Sequence, residues 1–128
     1  MIAYTDTSVK GNITTISYVL MSWKGRTIKK ESFKGLEDKS FQSEIDSIIK
    51  LLTYCSKKNY KGVRIFTDCK NIQLMLDGEI KGSVDISYLK HLLRLTESKV
   101  KYKNRKHNKA HKLCYNHMKA IENRMNNT

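Results

Sequence analysis

The residues best suited to chemistry are two carboxylates that close two similar apolar runs. Ile2 to Asp6 reads Ile-Ala-Tyr-Thr-Asp, and Val63 to Asp68 reads Val-Arg-Ile-Phe-Thr-Asp. Both runs have the composition of β-strands, and each delivers an acid at its end. Side chains alternate faces along a strand, so Asp6 shares a face with Tyr4 and Ile2, and Asp68 with Phe66 and Arg64. Strands paired in parallel would set the two acids side by side. Like charges that close repel, unless a cation neutralises them or one takes a proton. In a chain of 12 acids and 25 bases, a Mg²⁺ or Mn²⁺ site is the leading explanation. The plainer alternative is that both strands finish on Asp because Asp favours turns.

Those acids need a scaffold, and the hydrophobic pattern supplies one. After Asp6, the turn-like residues Thr7 to Asn12 lead into a long β-branched and aromatic run, Ile13 to Trp23. Lys24 to Arg26 is a short turn, and Thr27 to Phe33 is a polar third strand closing at Gly35, whose lysines suit a sheet edge. Over residues 40–56 the period changes. Phe41, Ile45, Ile48, Ile49, Leu52 and Cys55 recur at helical spacing, with Ser40 as a cap. Glu44 lies one turn into that helix, at the margin of its apolar face. A glutamate there often does no more than complement the helix dipole.

Downstream of Asp68, residues 69–77 predict a short helix stopped by Gly78, and 79–84 a polar link. Residues 85–97 predict an amphipathic helix capped by Asp85. Lys99 to Lys103 alternates, which predicts a strand with Val100 and Tyr102 inward and lysines outward. A last helix, 108–123, places Ala110, Leu113, Cys114, Met118 and Ile121 on one face. The order is β-β-β-α-β-α-α-β-α, an α/β class in which helices cover a mixed sheet. A right-handed crossover through helix 40–56 would lay strand 63–68 parallel to the first, the pairing the two aspartates require. There is no proline, repeat or low-complexity stretch, so residues 1–128 are expected to form a single domain.

Composition narrows the partner. No stretch approaches the roughly 18 apolar residues of a membrane span, and residues 1–10 lack the pattern of a signal peptide. Cys55, Cys69 and Cys114 are an odd set without CxxC spacing, which argues against a disulfide framework or zinc and for a reducing, cytoplasmic setting. Cys55 and Cys114 fall on apolar helix faces, as small buried hydrophobes do. The net charge of +13 makes a polyanion the natural partner, with nucleic acid ahead of a membrane surface. Lys99, Lys101, Lys103, Arg105, Lys106, Lys109 and Lys112 concentrate that charge, and no acid occurs from Ser98 to Ile121. Phosphate contacts through such a run are salt-sensitive and carry little sequence preference. The alternative is a solvated, lysine-rich strand edge.

At these positions the sequence resembles the ribonuclease H type 1 family. Tyr4 to Ser8 is similar to its first motif, a strand ending in Thr-Asp-Gly-Ser. Ser40 to Ile49 resembles the start of its first helix, Ile65 to Ile72 its fourth strand and following helix, and Val100 to Leu113 its last strand and final helix. The resemblance covers nearly the whole chain. It implies the ribonuclease H-like five-stranded mixed sheet, three antiparallel strands then parallel ones, flanked by helices. It also implies an endonuclease that hydrolyses the RNA strand of RNA/DNA hybrids with two divalent ions, Mg²⁺ or Mn²⁺, about 4 Å apart. Asp6 and Asp68 would hold the ions jointly and Glu44 one of them. His111 would complete the set at the position of the family's fourth acid, and His107 would shuttle protons from the preceding loop.

By the same resemblance, nucleic-acid contacts fall to Thr7, Ser8, Ser40, Gln42, Lys70, Asn71, Lys101, Lys103, Arg105, Lys106, Asn108 and Lys109. The chain departs from the family pattern at Thr7, usually glycine, at Ser40 and Phe41, often asparagines, and in a final motif one residue shorter. His111 itself replaces an acid. Imidazole suits Mn²⁺ better than Mg²⁺, so Mn²⁺ is expected to serve at least as well; otherwise His111 is a helix-surface residue near phosphate. A two-histidine metal site at 107 and 111 lacks a third ligand, and His91 and His117 read as surface or boundary residues. Two further classes stay open: a catalytically silent nucleic-acid-binding module, and a nuclease for structured RNA or DNA junctions. A monomer is expected.

Overall fold

The computed structural model describes residues 1–35, 40–79, 85–104 and 108–126. Its first strand is longer than its apolar run. β1 spans Ile2–Lys10 and pairs antiparallel with β2, Ile13–Met21, along its whole length, from Ile2 opposite Met21 to Lys10 opposite Ile13. Asp6 therefore stands in mid-strand, and Thr7 to Lys10 are strand rather than turn. Their local sequence is turn-like, but the β-branched start of β2 offers each of them a ladder partner, and cross-strand pairing decides. The reversal is confined to Gly11 and Asn12, with Gly11 at φ +59°, a conformation glycine reaches without a Cβ clash.

β3, Thr27–Lys34, pairs antiparallel with β2 and forms one sheet edge. β4, Arg64–Thr67, pairs parallel with β1, and β5, Lys99–Tyr102, pairs parallel with β4. The sheet order is β3-β2-β1-β4-β5, the mixed sheet expected, with the lysine-bearing third strand at an edge. Among the described residues four helices flank it: α1 Ser40–Lys57, α2 Lys70–Leu76, α3 Ser87–Leu95 and α4 His111–Asn126.

Each face of the sheet buries its own cluster. Ala3, Leu20, Ile65 and Val100 meet Ile45, Ile48, Leu52 and Cys55 of α1 and Leu89 and Leu92 of α3. On the other face Tyr4, Val19 and Met21 meet Ala110, with Ile2, Phe66 and Leu113 around them. The strand alternation thus runs as read: odd residues of β1 face α1, even residues face α4.

Some boundaries move. Tyr102, expected inward, is 43 % exposed, because β5 is a sheet edge and its last residue projects past the core that buries Val100. The last helix starts at His111 rather than Asn108, since the Asn108 side chain accepts the Ala110 N–H at 2.9 Å and holds residues 108–110 in a turn. α3 starts at Ser87, but Asp85 still works as a cap, accepting the Ser87 N–H at 2.9 Å. The polar link beyond Glu79 lies outside the described residues. Among the described residues, no helix is long and apolar enough to cross a membrane.

Candidate metal centre

The parallel pairing of β1 and β4 closes at Tyr4 opposite Phe66. One step further in the same register come Thr5 and Thr67, and one step beyond those, Asp6 and Asp68. The repeated Thr-Asp pair is therefore two equivalent positions on neighbouring strands, placed where β4 parts from β1. Alternation sends the threonines to the α1 side and turns Asp6 toward α4.

Glu44 approaches from α1. It is only 3 % exposed, because its neighbours Ile45 and Ile48 anchor that helix face to the sheet. The Thr5 and Thr67 hydroxyls both donate to Glu44 Oε1, each at 2.9 Å. Thr67 Oγ1 also accepts the Cys69 N–H at 3.1 Å, so one hydroxyl ties Glu44 to the start of α2. Burial pushes the Glu44 carboxyl up to about 7. The hydroxyls of Thr7, Thr67 and Thr5 oppose that rise, and the charge of Asp68 adds to it. Thr7 Oγ1 itself lies buried without a hydrogen bond of ordinary length.

Asp6, Glu44 and Asp68 each offer one oxygen within 4.8 Å of the others. Asp6 is fully buried and Asp68 partly so. Three carboxylates at that separation, two of them withdrawn from water, repel one another. An all-oxygen, anionic donor set of this kind suits a hard divalent cation such as Mg²⁺ or Mn²⁺. The expected triad is one site in space.

His111, the first residue of α4, brings Nδ1 to 3.0 Å from Asp6 Oδ2. Its side chain is 41 % exposed. An ionised carboxylate can only accept, so Nδ1 carries the hydrogen in this contact. The start of α4 is clamped beneath it. Asn108 Nδ2 donates to Thr5 O at 2.7 Å, Ser17 Oγ to Ala110 O at 3.0 Å, and Thr15 Oγ1 to Cys114 O at 3.1 Å.

The other predicted site residues scatter around this centre. Thr7 and Ser8 are half-buried on β1, and Gln42 is half-buried on α1, where it donates to Asp46 at 3.0 Å. Lys70 and Asn71 are exposed at the start of α2, directly after Asp68, and Lys101 and Lys109 are exposed. Lys103 lays its ammonium over the rings of Phe66 and Tyr4, at 4.8 and 5.5 Å from their centroids. Asn108 is buried, and both ends of its amide are engaged within the chain. Ser40 opens α1, but its side chain, like the whole of Arg105, Lys106 and His107, lies outside the described residues. Away from the site, His91 stacks on Tyr88, and His117 hydrogen-bonds Ser32 at the α4–β3 boundary.

Sequence reasoning missed Thr5 and Thr67 as the partners of Glu44. The signal was present in the repeat itself, since both aspartates are preceded by threonine.

The sequence matches no protein-family profile and no curated protein. Its structure does match solved ones. LC11-RNase H1, isolated from compost by a metagenomic approach and solved in complex with an RNA/DNA hybrid, superposes with a TM-score of 0.72 at 18 % identity, over 88 % of this chain and 91 % of that one. The N-terminal RNase H domain of a Mycobacterium tuberculosis protein gives 0.74 at 14 % identity, over 97 % and 96 %. RNase H1 from the archaeon Halobacterium salinarum gives 0.64 at 18 % identity, over 81 % and 85 %. The chain has the ribonuclease H fold.

Proposed function

We propose that this protein is a metal-dependent endonuclease that hydrolyses the RNA strand of RNA/DNA hybrids. One observation carries the reading: Asp6, Glu44 and Asp68, from three different elements, converge within 4.8 Å. No packing need brings three acids together in a chain of net charge +13. The fold supports it, being shared with a protein solved on an RNA/DNA hybrid.

Asp6 and Asp68 would hold two divalent ions jointly, Glu44 would hold one, and His111 would complete the set. When bound, such ions acidify a water for attack at phosphorus and offset charge on the departing 3′ oxygen. The remaining work belongs to the chain. Thr5 and Thr67 fix the Glu44 carboxylate, and Asp6 fixes the His111 tautomer and ring. Lys70, Lys101, Lys103, Arg105, Lys106 and Lys109 hold phosphates. Thr7, Ser8, Ser40, Gln42 and Asn71 supply polar contacts, among them the 2′-hydroxyl contact by which RNA is told from DNA. His107 moves a proton at the leaving group. Asn108 contributes by holding the start of α4 against β1. The chain works as a single domain and a monomer, and its free thiols suit a reducing, cytoplasmic setting.

The test is cleavage of a labelled RNA/DNA hybrid with Mg²⁺ and separately Mn²⁺, beside an Asp68→Asn control. Loss of the RNA strand alone, abolished in the control, is the expected result. Hybrid binding without cleavage under either ion would move the protein to a silent binding module. Cleavage of branched junctions but not hybrids would make it a nuclease of another specificity.

A further inference from the structure

α4 packs on β1, β2 and β3, and β4 and β5 extend the same face beyond it. Ile65 and Val100 are buried on the α1 side, so alternation sends Arg64, Lys99, Lys101 and Lys103 to the α4 side. The parallel register sets Arg64 beside Lys99 and Phe66 beside Lys101. Lys103 N donates to Thr67 O at 2.8 Å, which brings Lys103 level with Asp68. At the opposite end, the Arg64 guanidinium lies over the Trp23 ring at 5.5 Å, and Trp23 is 59 % exposed. The strip begins at the acid site and runs about 13 Å along β5, at 3.3 Å per residue. Asp68 is the one acid on this face of the two strands.

Like charges directly opposite one another on neighbouring strands destabilise a sheet. Arg64 beside Lys99 is such a pair, and a phosphate backbone laid over both removes the penalty. Lys103 and Arg64 are seated on aromatic rings, which limits the freedom each must lose on meeting an anion. The strip is two β-strands wide, about 5 Å between them, and it ends on an exposed indole. The indole face turned away from Arg64 is what an unpaired base stacks on; the bases of a duplex are already stacked.

We infer that this open β4–β5 face is a second nucleic-acid contact, a track that takes single-stranded nucleic acid leaving the acid site and stacks a base on Trp23. The inference rests on the proposed hybrid nuclease for the identity of the substrate, and its test is separable from that reading. Asp68→Asn protein, which leaves strands uncut, is titrated with a blunt RNA/DNA hybrid, and with the same hybrid carrying an overhang of about six nucleotides at each end of each strand in turn. One overhang polarity is expected to bind about tenfold more tightly than the blunt duplex, the order of one stacked base. In Trp23→Ala/Arg64→Met that ratio falls to about one, and Lys99→Met reduces it part of the way. All three positions are exposed, and circular dichroism confirms the fold of each variant. A ratio near one for all four overhangs in the parent, or a ratio the variants leave intact, overturns the track. Failure to bind blunt hybrid, with a free single strand still held through Trp23 and Arg64, overturns the hybrid reading and keeps the track.

Discussion

The acid centre is built differently on its two sides. On the α1 side Glu44 is 3 % exposed, held by two threonine hydroxyls and pushed up to about 7. On the α4 side the His111 side chain is 41 % exposed, with Nδ1 at 3.0 Å from Asp6 Oδ2. The α1 side is preorganised, because its carboxylate cannot move without breaking bonds to two strands. The α4 side is the more open to solvent. His111, where the sequence departs from the ribonuclease H motif it resembles, lies on this more exposed side.

The largest effect is expected from removing a shared ligand. Asp68→Asn should lower hybrid cleavage by on the order of 10³-fold or more, several kcal/mol of lost charge stabilisation, while the melting temperature changes little.

The contrast between the two sides sharpens with pH. Without divalent ions, the raised carboxyl of Glu44 means the folded state keeps a proton that the unfolded chain has already released. That contribution is fully present below about pH 4.5 and is lost as pH rises through about 7. Glu44→Gln removes the charge, so the parent should lose stability relative to this variant between pH 5 and 8, by on the order of 3 kcal/mol. Added Mg²⁺ or Mn²⁺ should close the gap. Thermal melts at both pH values, with and without the ion, measure it; a parent and variant that track each other would show that Glu44 is not held as described.

Losing the hydroxyls is a milder break. Thr5→Val/Thr67→Val keeps the shape but frees Glu44, and should weaken divalent-ion binding about 10- to 100-fold, read by calorimetry. On the exposed side, His111→Asp should shift the ratio of Mn²⁺- to Mg²⁺-supported cleavage toward Mg²⁺, since oxygen suits the harder ion. An unchanged ratio would remove His111 from the ligand set. The smallest effect belongs to Lys109→Met, which should weaken hybrid binding uniformly across sequences and lower the salt slope by about one.

Much of this was legible in the chain. The period-2 and period-3.6 patterns set the element order, and the alternation rule correctly placed Tyr4 and Phe66 with their aspartates on one face. What misled was local turn propensity. Thr7 to Lys10 look like a turn, yet each finds a partner in β2, and a ladder formed with a distant segment outweighs a weak local preference. Glu44 was ambiguous for a similar reason. A helical wheel puts it at the margin of the apolar face, and only the threonines of two strands, 39 and 23 residues away, turn that margin into a buried carboxylate site. Asn108 has the residue type of a nucleic-acid contact, and only the fold shows that its amide also bonds Thr5 O and the Ala110 N–H.

The sequence by itself determined which residues are acids, which runs alternate and how many strands and helices form, because those depend on neighbours along the chain. Only the tertiary structure decided that α4 packs chiefly on β1, β2 and β3, and that Arg64 and Trp23 lie with the exposed lysines beyond it. Those outcomes depend on register and layer packing between segments far apart in the chain, which no local pattern encodes.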